Sequence, residues 1–377
     1  MAHFEHIRRV RQRRLGSALA AVVITVAGGT VPAPAQPAAL DHTEKPGPNT
    51  MAAQHTVTAD VETEPVPGAG DADDTAIWVH PTDPTLSVVI GTDKLGGIEV
   101  YDLAGQRLQT IDPDSKPNNV DLRPGFPLGG ATIDLIGAAG YGMRFYTIDP
   151  ATRTLTNITA PTVKPDIPAA GICLYQSPVS GTFYAVANTR DGRAEQWELF
   201  DEAGKVGMRT VRGPWSVGTE ESEGCVFDDE RQLLFHSEEH DGIFRYGAEP
   251  DASTTERFTV DAPNDRLVPD VEGLALVHTA DGGYLVGSSQ GDDTFAIYRR
   301  EAPHEFVTKF SVVDGTGVDG CSKTDGIAVL AANLGPAFPY GLFACHDHLN
   351  TAPGSAGGKN FKFVRLERIL ELVGAVY

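Results

Sequence analysis

The sequence predicts an all-β fold, a six-bladed β-propeller, and three observations lead there. The body of the chain repeats a unit of three or four short strands roughly every 50 residues, the period of a propeller blade. The third strand of each unit carries an aromatic residue, at Tyr101, Tyr146, Trp197, Tyr246, Tyr298 and Phe363, so successive units are offset by 45, 51, 49, 52 and 65 residues. Turn formers are abundant, with 41 Gly and 26 Pro among 377 residues, as a chain of many short strands requires. A sandwich would not repeat at a fixed interval of this length. A single unit cannot cover both of its faces, so the units must stack radially to bury a continuous core.

Taken in order, the chain opens with residues 1–35. Basic residues crowd 8–14, an apolar stretch fills 15–29, and Ala33-Pro34-Ala35 follows. That succession is a secretory signal peptide, and its apolar stretch is short for the ~20 residues of a membrane span. The Arg13-Arg14 pair leaves twin-arginine export open beside the general route. No other stretch is apolar enough to cross a membrane, so the mature chain is expected to be extracellular. Residues 36–57 lack periodicity and read as a disordered linker. The propeller domain is 58–377. Its units begin with an acidic or small residue and an apolar strand, at 74–79, 119–123, 170–175, 223–227, 272–277 and 325–330. A second apolar run follows at 87–91, 133–138, 182–187, 233–236, 283–287 and 340–344. One terminus must complete the last blade, and a strand near 57–61 is the natural candidate. Residues 367–372 read as a short closing helix.

Acidic residues number 51 against 30 basic, a formal net charge of −21. A field of that sign repels phosphate backbones and argues against nucleic acid as a partner. It suits cations, or an anion that cations bridge to the protein. Hydrophobic residues make up 41% of the chain, which provides for a core and excludes full disorder. Nothing demands more than a monomer. The cysteines, Cys173, Cys225, Cys321 and Cys345, show no metal-site spacing. An oxidising compartment permits three pairings, and Cys173 and Cys225 read equally as buried small hydrophobes.

In a propeller the first strand of each blade lines the central channel, and the residues before it sit at one mouth. The acids cluster at those positions: Asp73, Asp74, Glu223, Asp270, Glu272, Asp319 and Asp325, with Glu62 joining if the N-terminal strand closes the ring. The loop after the second strand adds Glu238, Glu239 and Asp241. Acids before a strand also serve as turn formers, but a ring of carboxylates repels itself and calls for raised pKa values or bound cations. Hard oxygen donors in such number suit calcium. His346-Asp347-His348 reads as a polar turn or a transition-metal pair, and His80 as a turn residue. Lys94, Arg123, Arg144 and Arg190 interleave with the acids. Cations of that kind match phosphate oxygens, so an acidic ring loaded with cations makes a site for a polyphosphorylated anion. No nucleophile elbow, P-loop or Ser-His-Asp order is present, and Ser288-Ser289-Gln290-Gly291 lacks the G-x-S-x-G frame.

Several segments carry a resemblance. Asp71-Ala72-Asp73-Asp74-Thr75-Ala76-Ile77-Trp78 is similar to a D-A-x-D-D-P-A-x-W motif, one residue shorter and with Thr75 in place of Pro. Asn118-Asn119-Val120-Asp121-Leu122 matches N-N-x-D-x. Glu62-Thr63-Glu64-Pro65, Pro269-Asp270-Val271-Glu272-Gly273, Asp319-Gly320 and Thr324-Asp325-Gly326-Ile327 fall in the same order. Over about residues 57–374 the series resembles the alkaline β-propeller phytases, the 3-phytase type. The resemblance implies secreted, calcium-dependent hydrolysis of phytate (myo-inositol hexakisphosphate) or its calcium salt. It implies several calcium ions on Glu62, Asp74, Glu223, Glu239, Asp270, Glu272, Asp319 and Asp325, with Glu223, Asp319 and Asp325 in catalytic positions. It implies substrate phosphates at Lys94, Arg123, Arg190 and Asn119, with Asp121 shaping the same wall. Leu95, Ala170 and Lys323 depart from the pattern, where Lys, Tyr and Asp are usual, and bear on one phosphate subsite or one calcium. Two other readings stay open: a calcium-dependent propeller lactonase, which needs fewer acids and no basic subsite, and a non-catalytic binding propeller, which needs an exposed aromatic cluster.

Overall fold

The structure is a computed structural model and describes residues 55–351 and 357–375. The segment read as a signal peptide, and the linker up to residue 54, lie outside the described residues. Six sheets form the body. Blade 1 comprises Ala72–Trp78, Val88–Asp93, Ile98–Asp102 and Arg107–Ile111. Blade 2 comprises Pro117–Leu128, Ala131–Gly140, Gly142–Asp149 and Thr154–Asn157. Blade 3 comprises Gly171–Gln176, Phe183–Asn188, Arg193–Glu202 and Lys205–Ser216. Blade 4 comprises Cys225–Asp228, Leu233–Glu238, Gly242–Gly247 and Phe258–Asp261. Blade 5 comprises Val271–Val277, Tyr284–Ser289, Thr294–Arg299 and Phe306–Val313, and blade 6 Ile327–Leu330, Leu342–Asp347 and Asn360–Arg365. Within each blade these strands pair antiparallel in chain order. The first strands of neighbouring blades touch around a closed circle, which makes the six-bladed propeller that the repeat predicts.

The repeating aromatics explain why the blades stack. Tyr101, Tyr146, Trp197, Tyr246, Tyr298 and Phe363 are all buried. Each sits on its blade's third strand opposite an apolar residue of the second, as in Tyr101 against Val89 and Trp197 against Ala185. Two hydroxyls tie blade to blade: Tyr146 donates to Asp112 at 2.9 Å and Tyr298 to Asp261 at 3.0 Å. Those acids stand where the outer strands of blades 1 and 4 end.

The N-terminus closes the ring differently from the expectation of one strand near 57–61. Val61–Glu62 completes blade 6, antiparallel to Asn360–Arg365. His55–Thr58, which takes in the last residues read as linker, instead lies parallel to Phe306–Val313 as a fifth strand of blade 5. The crossing falls between adjacent residues. Ala59 N–H donates to Val313 O of blade 5, and Asp60 N–H donates to Phe363 O of blade 6. Asp60 fixes the corner by accepting from Arg365 N–H (2.9 Å) and from the Arg368 guanidinium (2.5 Å). Arg368 belongs to the closing helix Leu366–Leu370, whose Leu366, Ile369 and Leu370 are buried.

Two disulfides form, Cys173–Cys225 and Cys321–Cys345. The first joins the inner strands of blades 3 and 4. The second joins the segment before blade 6 to that blade's second strand. Each half-cystine at 225 and 321 lies two residues after an acid of the sequence-predicted ring, Glu223 or Asp319.

Glycine follows an acid at the start of three inner strands, at 224, 273 and 326, and Ala170 at a fourth, at 171, and the reason is close approach. A Cβ built on Gly171 would overlap Glu223 O of the next blade; on Gly224, Glu272 O; on Gly273, Asp325 O; on Gly326, the Asp74 side chain. Backbone bonds run through the same contacts, from Gly273 N–H to Asp325 O (2.8 Å) and from Gly326 N–H to Asp73 O (3.0 Å). The Gly326→Ala variant is therefore expected to lose about 1–3 kcal/mol, as overpacked sites do, read from its urea midpoint. An unchanged midpoint would show that the Asp74 segment yields without cost.

Candidate functional site

The site lies at the channel mouth where the inner strands begin. Three of those strands start with a one-residue bulge, between Ala72 and Thr75, Pro117 and Asn119, and Val271 and Leu274. A bulge adds one residue on one strand and re-aims its neighbours. Here the irregular residues include Asp73, Asp74, Asn118 and Glu272. Glu223 and Asp325 come from the turns just before blades 4 and 6. All five acids are largely shielded from solvent; Asp73 is 0%, Asp74 8%, Glu223 6% and Glu272 8% exposed.

Lys94, which follows the second strand of blade 1, stands among them. Its Nζ lies 3.2 Å from Asp73 Oδ2, 3.3 Å from Asp325 Oδ2 and 3.9 Å from Glu223 Oε1. Burial alone would lower the lysine pKa, but Asp73, Glu223 and Asp325 outweigh it and hold the ammonium protonated. One cation cannot neutralise five carboxylates. Burial pushes Asp73 well above the carboxylate range, and Glu223 adds to the shift. Burial raises Asp74 to about 7, against the hydrogen bonds it accepts. Glu272 is raised by burial, then by Glu223 and Asp325. Asp325 runs the other way: burial opposes its charge, but His346 and Lys94 beside it outweigh burial and lower its pKa.

Beside this ring stands a second group. Glu239, His240 and Asp270 present ligand atoms within 4.8 Å of one another. Glu239 is lifted to about 8 by burial and by Glu221 and Asp270. The sequence pointed to Glu239 and Asp270; it missed His240 and Glu221, whose only signal was their place next to those acids. Asp73 belonged to the predicted ring but not to the predicted ligand set.

Several predicted residues land elsewhere. Asn119 serves Asp74: its Nδ2 donates to Asp74 Oδ2 at 3.2 Å, next to Val120 N–H at 3.1 Å. Its amide donor is thus spent on a carboxylate, not left for a phosphate. Arg123 lies four residues farther along the same inner strand, about 13 Å at strand rise. It points into the channel, with Nε on Asp229 (3.0 Å) and Nη1 on Asp121 (3.1 Å) and Leu122 O (2.8 Å). The phosphate position expected of it beside Lys94 is not where the structure places it: strand rise carries it along the channel, and two acids engage its fork. Glu62 and Asp319 do not join the ring either. They meet at Lys362 of blade 6, whose buried Nζ is bonded to Asp319 and lies 2.9 Å from Glu62 and 3.2 Å from Asp347. Asp319 also accepts from Thr351. This separate cluster takes Asp319 away from the carboxylates around Lys94, because Val61–Glu62 brings its acid to the outer edge of blade 6. Arg190 does reach the mouth, paired with Glu221 at 2.9 Å.

A groove of about 1210 Å³ opens from the ring along blade 2 and the segment leading to blade 3. Its wall holds Lys94, Arg144, Lys164 and Arg190. Carboxylates gathered at one channel mouth, with cations along the adjoining groove, define a β-propeller built to receive an anion.

The chain belongs to the phytase family, whose profile matches residues 23–376. It is 39% identical over 329 residues to a 3-phytase of Bacillus subtilis (strain 168), covering 84% of this chain and 85% of that protein. Among solved structures, a chain of a mitotic checkpoint complex covers 86% of this chain and 82% of its own length at 12% identity and TM-score 0.42. A chain of a nidogen/laminin complex covers 69% and 85% at 14% identity and TM-score 0.44.

Proposed function

We propose that the chain is a secreted, calcium-dependent phytase that releases phosphate from myo-inositol hexakisphosphate or its calcium salt. One observation carries the reading: buried carboxylates around Lys94 and a groove of cations share one mouth. The family and the Bacillus relative support the substrate class.

The residues fit calcium. Oδ1 of Asp73 and Oδ1 of Asn119 are buried without a hydrogen-bond partner. All the ring donors are hard oxygens, the set calcium accepts in loose geometry. Asp73, Asp74, Glu223, Glu272 and Asp325 would hold ions in the ring, Glu239 and Asp270 beside it, and Glu62 and Asp319 at the outer cluster. When bound, calcium supplies charge against the phosphoryl oxygens and a water acidified toward hydroxide.

The chain's own groups supply the rest. Lys94, kept protonated by three acids, is a fixed cation for a phosphoryl oxygen. Gln290 Nε2 holds Asp325 Oδ1 at 2.5 Å, and His346 Nδ1 accepts the Asp325 N–H at 3.2 Å. Arg190 offers its fork to a neighbouring phosphate. No cysteine among the described residues is free to act as a nucleophile; the reading takes the attack to be a direct in-line one by water. The two disulfides and the N-terminal sequence support an extracellular place. No helix among the described residues is long and apolar enough to cross a membrane. The net charge of −21 disfavours nucleic acid, and a single copy contains the whole site.

Phosphate release from phytate is expected to vanish after treatment with a chelator and to return with excess calcium. No release from folded, calcium-replenished protein would overturn the proposal.

A further inference from the structure

We infer that Asn188 is a positioning residue: its side-chain amide fixes the backbone that carries Glu223, and so sets where that carboxylate stands at the mouth. The inference rests on the phytase reading and adds to it a residue that touches neither substrate nor ion.

Glu223 lies in the turn before blade 4, outside any strand. A carboxylate on a turn owes its place to whatever grips the turn, and here the grip comes from the neighbouring blade. Asn188 ends the second strand of blade 3 and is fully buried. Its Nδ2 donates to Glu223 O at 3.1 Å and lies 3.3 Å from Ser222 Oγ. The same nitrogen is 3.3 Å from His236 Nδ1, on the second strand of blade 4. Burial lowers the His236 pKa to about 3, so the imidazole is neutral and its Nδ1 accepts. Ser222 Oγ donates its own hydrogen to Ser237 O at 2.8 Å, which leaves it free to accept from the amide. One side chain thus joins blade 3, the Glu223 turn and blade 4 at a place closed to water. On the other side of Asn188 stands Gly171. A Cβ there would overlap both Glu223 O and Asn188 Oδ1, so the packing leaves the amide no second position.

Two other blades use a similar contact, with one difference. The hydroxyls of Thr92 and Ser288, near the ends of the second strands of blades 1 and 5, donate to Asn118 O at 2.5 Å and Thr324 O at 2.7 Å. Each of those carbonyls belongs to the residue just before a mouth residue, Asn119 or Asp325. Of the three, Asn188 alone holds the carbonyl of the acid itself. The strand that follows Glu223 has separate anchors. Gly224 O accepts from Ser237 N–H (2.9 Å) and Ser237 Oγ (3.0 Å), and Cys225 is bonded to Cys173. Loss of Asn188 therefore loosens the Glu223 peptide while blade 4 keeps its register. Partners that orient an ion's donor without touching the ion change affinity or rate by about 10–100-fold.

The test compares chelator-stripped parent protein with Asn188→Ala, Asn188→Ser, Glu223→Gln, the double variant Asn188→Ala/Glu223→Gln, and a control, Gln196→Ala. Gln196 is also buried, and its Nε2 donates to Ala248 O at 2.8 Å. The control thus removes a buried amide bond between the same two blades without touching the Glu223 turn. Calcium alone is titrated by calorimetry well below the melting temperature, and kcat and KM are measured on phytate in excess calcium. Asn188→Ala is expected to weaken calcium binding and to lower kcat, each by about tenfold or more, while the control keeps the parent values of both. Asn188→Ser, which retains one donor, should recover part of the loss. In the Glu223→Gln background, removal of Asn188 should weaken calcium binding no further, because residues that act through one another are not additive. Parent affinity and kcat in Asn188→Ala, the same losses in the control, or an additive loss in the double variant overturns the inference. Should Asn188→Ala fail to fold, the smaller loss expected of Asn188→Ser decides the same question. If the parent binds calcium but releases no phosphate, the phytase reading falls and the calcium titration alone judges Asn188. A parent that binds no calcium overturns both.

Discussion

Glu223→Gln is expected to end phosphate release while making the metal-free protein more resistant to heat. Glu223 is the acid that the others share. Its charge contributes to the raised pKa values of Asp73, Asp74, Glu221, Glu239 and Glu272. Glutamine keeps the shape and removes that charge, so repulsion in the ring falls. Lys94 retains Asp73 and Asp325 within 3.3 Å, and the fold stays intact. The same change takes away a hard anionic donor where the phosphoryl group is to be held. Loss of one such preorganised group costs about a hundredfold or more in rate. Two measurements on one variant decide it: phosphate release with calcium present, and calorimetric melting with a chelator. A folded variant that still turns over would remove Glu223 from the site. A lower melting temperature without metal would show that repulsion does not govern the ring.

The second large effect is a slope of stability against pH that calcium cancels. Asp73, Asp74, Glu239 and Glu272 all titrate higher in the folded protein than in the unfolded chain, where carboxyls titrate near 4; Asp74 lies at about 7 and Glu239 at about 8. Between about pH 4 and 8 the native state therefore holds protons that the unfolded state has lost. Stability must fall as pH rises through that window. Asp325, lowered, contributes with the opposite sign, and its share is lost only as pH drops below the unfolded value. The chelated protein is expected to melt lower at pH 8 than at pH 5, by on the order of 5 °C. If calcium is the ring's ion, as proposed, excess calcium should raise the pH 8 value most, because a cation would bind the deprotonated ring. A flat profile in chelator would mean that the acids find relief without metal.

The sequence made the fold plain because propeller blades write themselves as a period. The aromatic at each third strand and the acid-glycine pair at the first strands of blades 4 to 6 are repeated packing demands, and both appear as residues at near-regular intervals. Glu223, Glu272 and Asp325 could be placed for the same reason: a position before an inner strand is a position at the mouth. Arg123 and Asp319 show where such reasoning stops. Arg123 shares a motif with Asn119, yet a strand moves each successive residue farther along the channel, and nearness in sequence becomes distance from the mouth. Asp319 looks like a ring acid until Lys362, more than forty residues later, is seen to hold it. Arg144 comes from a strand of blade 2 and Lys164 from the segment that follows that blade, and only three dimensions bring them to one groove.

The crossing of the N-terminal segment from blade 5 to blade 6 has a consequence in time. His55 pairs with Phe310 and Val61 with Phe363, so the first strands among the described residues find their places only after residues 310 and 363 have been synthesised. Blades 1 to 4 rest on contacts between neighbours in sequence and can assemble as they emerge. Blades 5 and 6 cannot be finished in that order. Pairings so remote in sequence are slow to form, because the chain must be brought into a loop before any contact rewards it. Until then the outer edges of blades 5 and 6 stand open, and the strands that will cover them wait at the opposite end of the molecule.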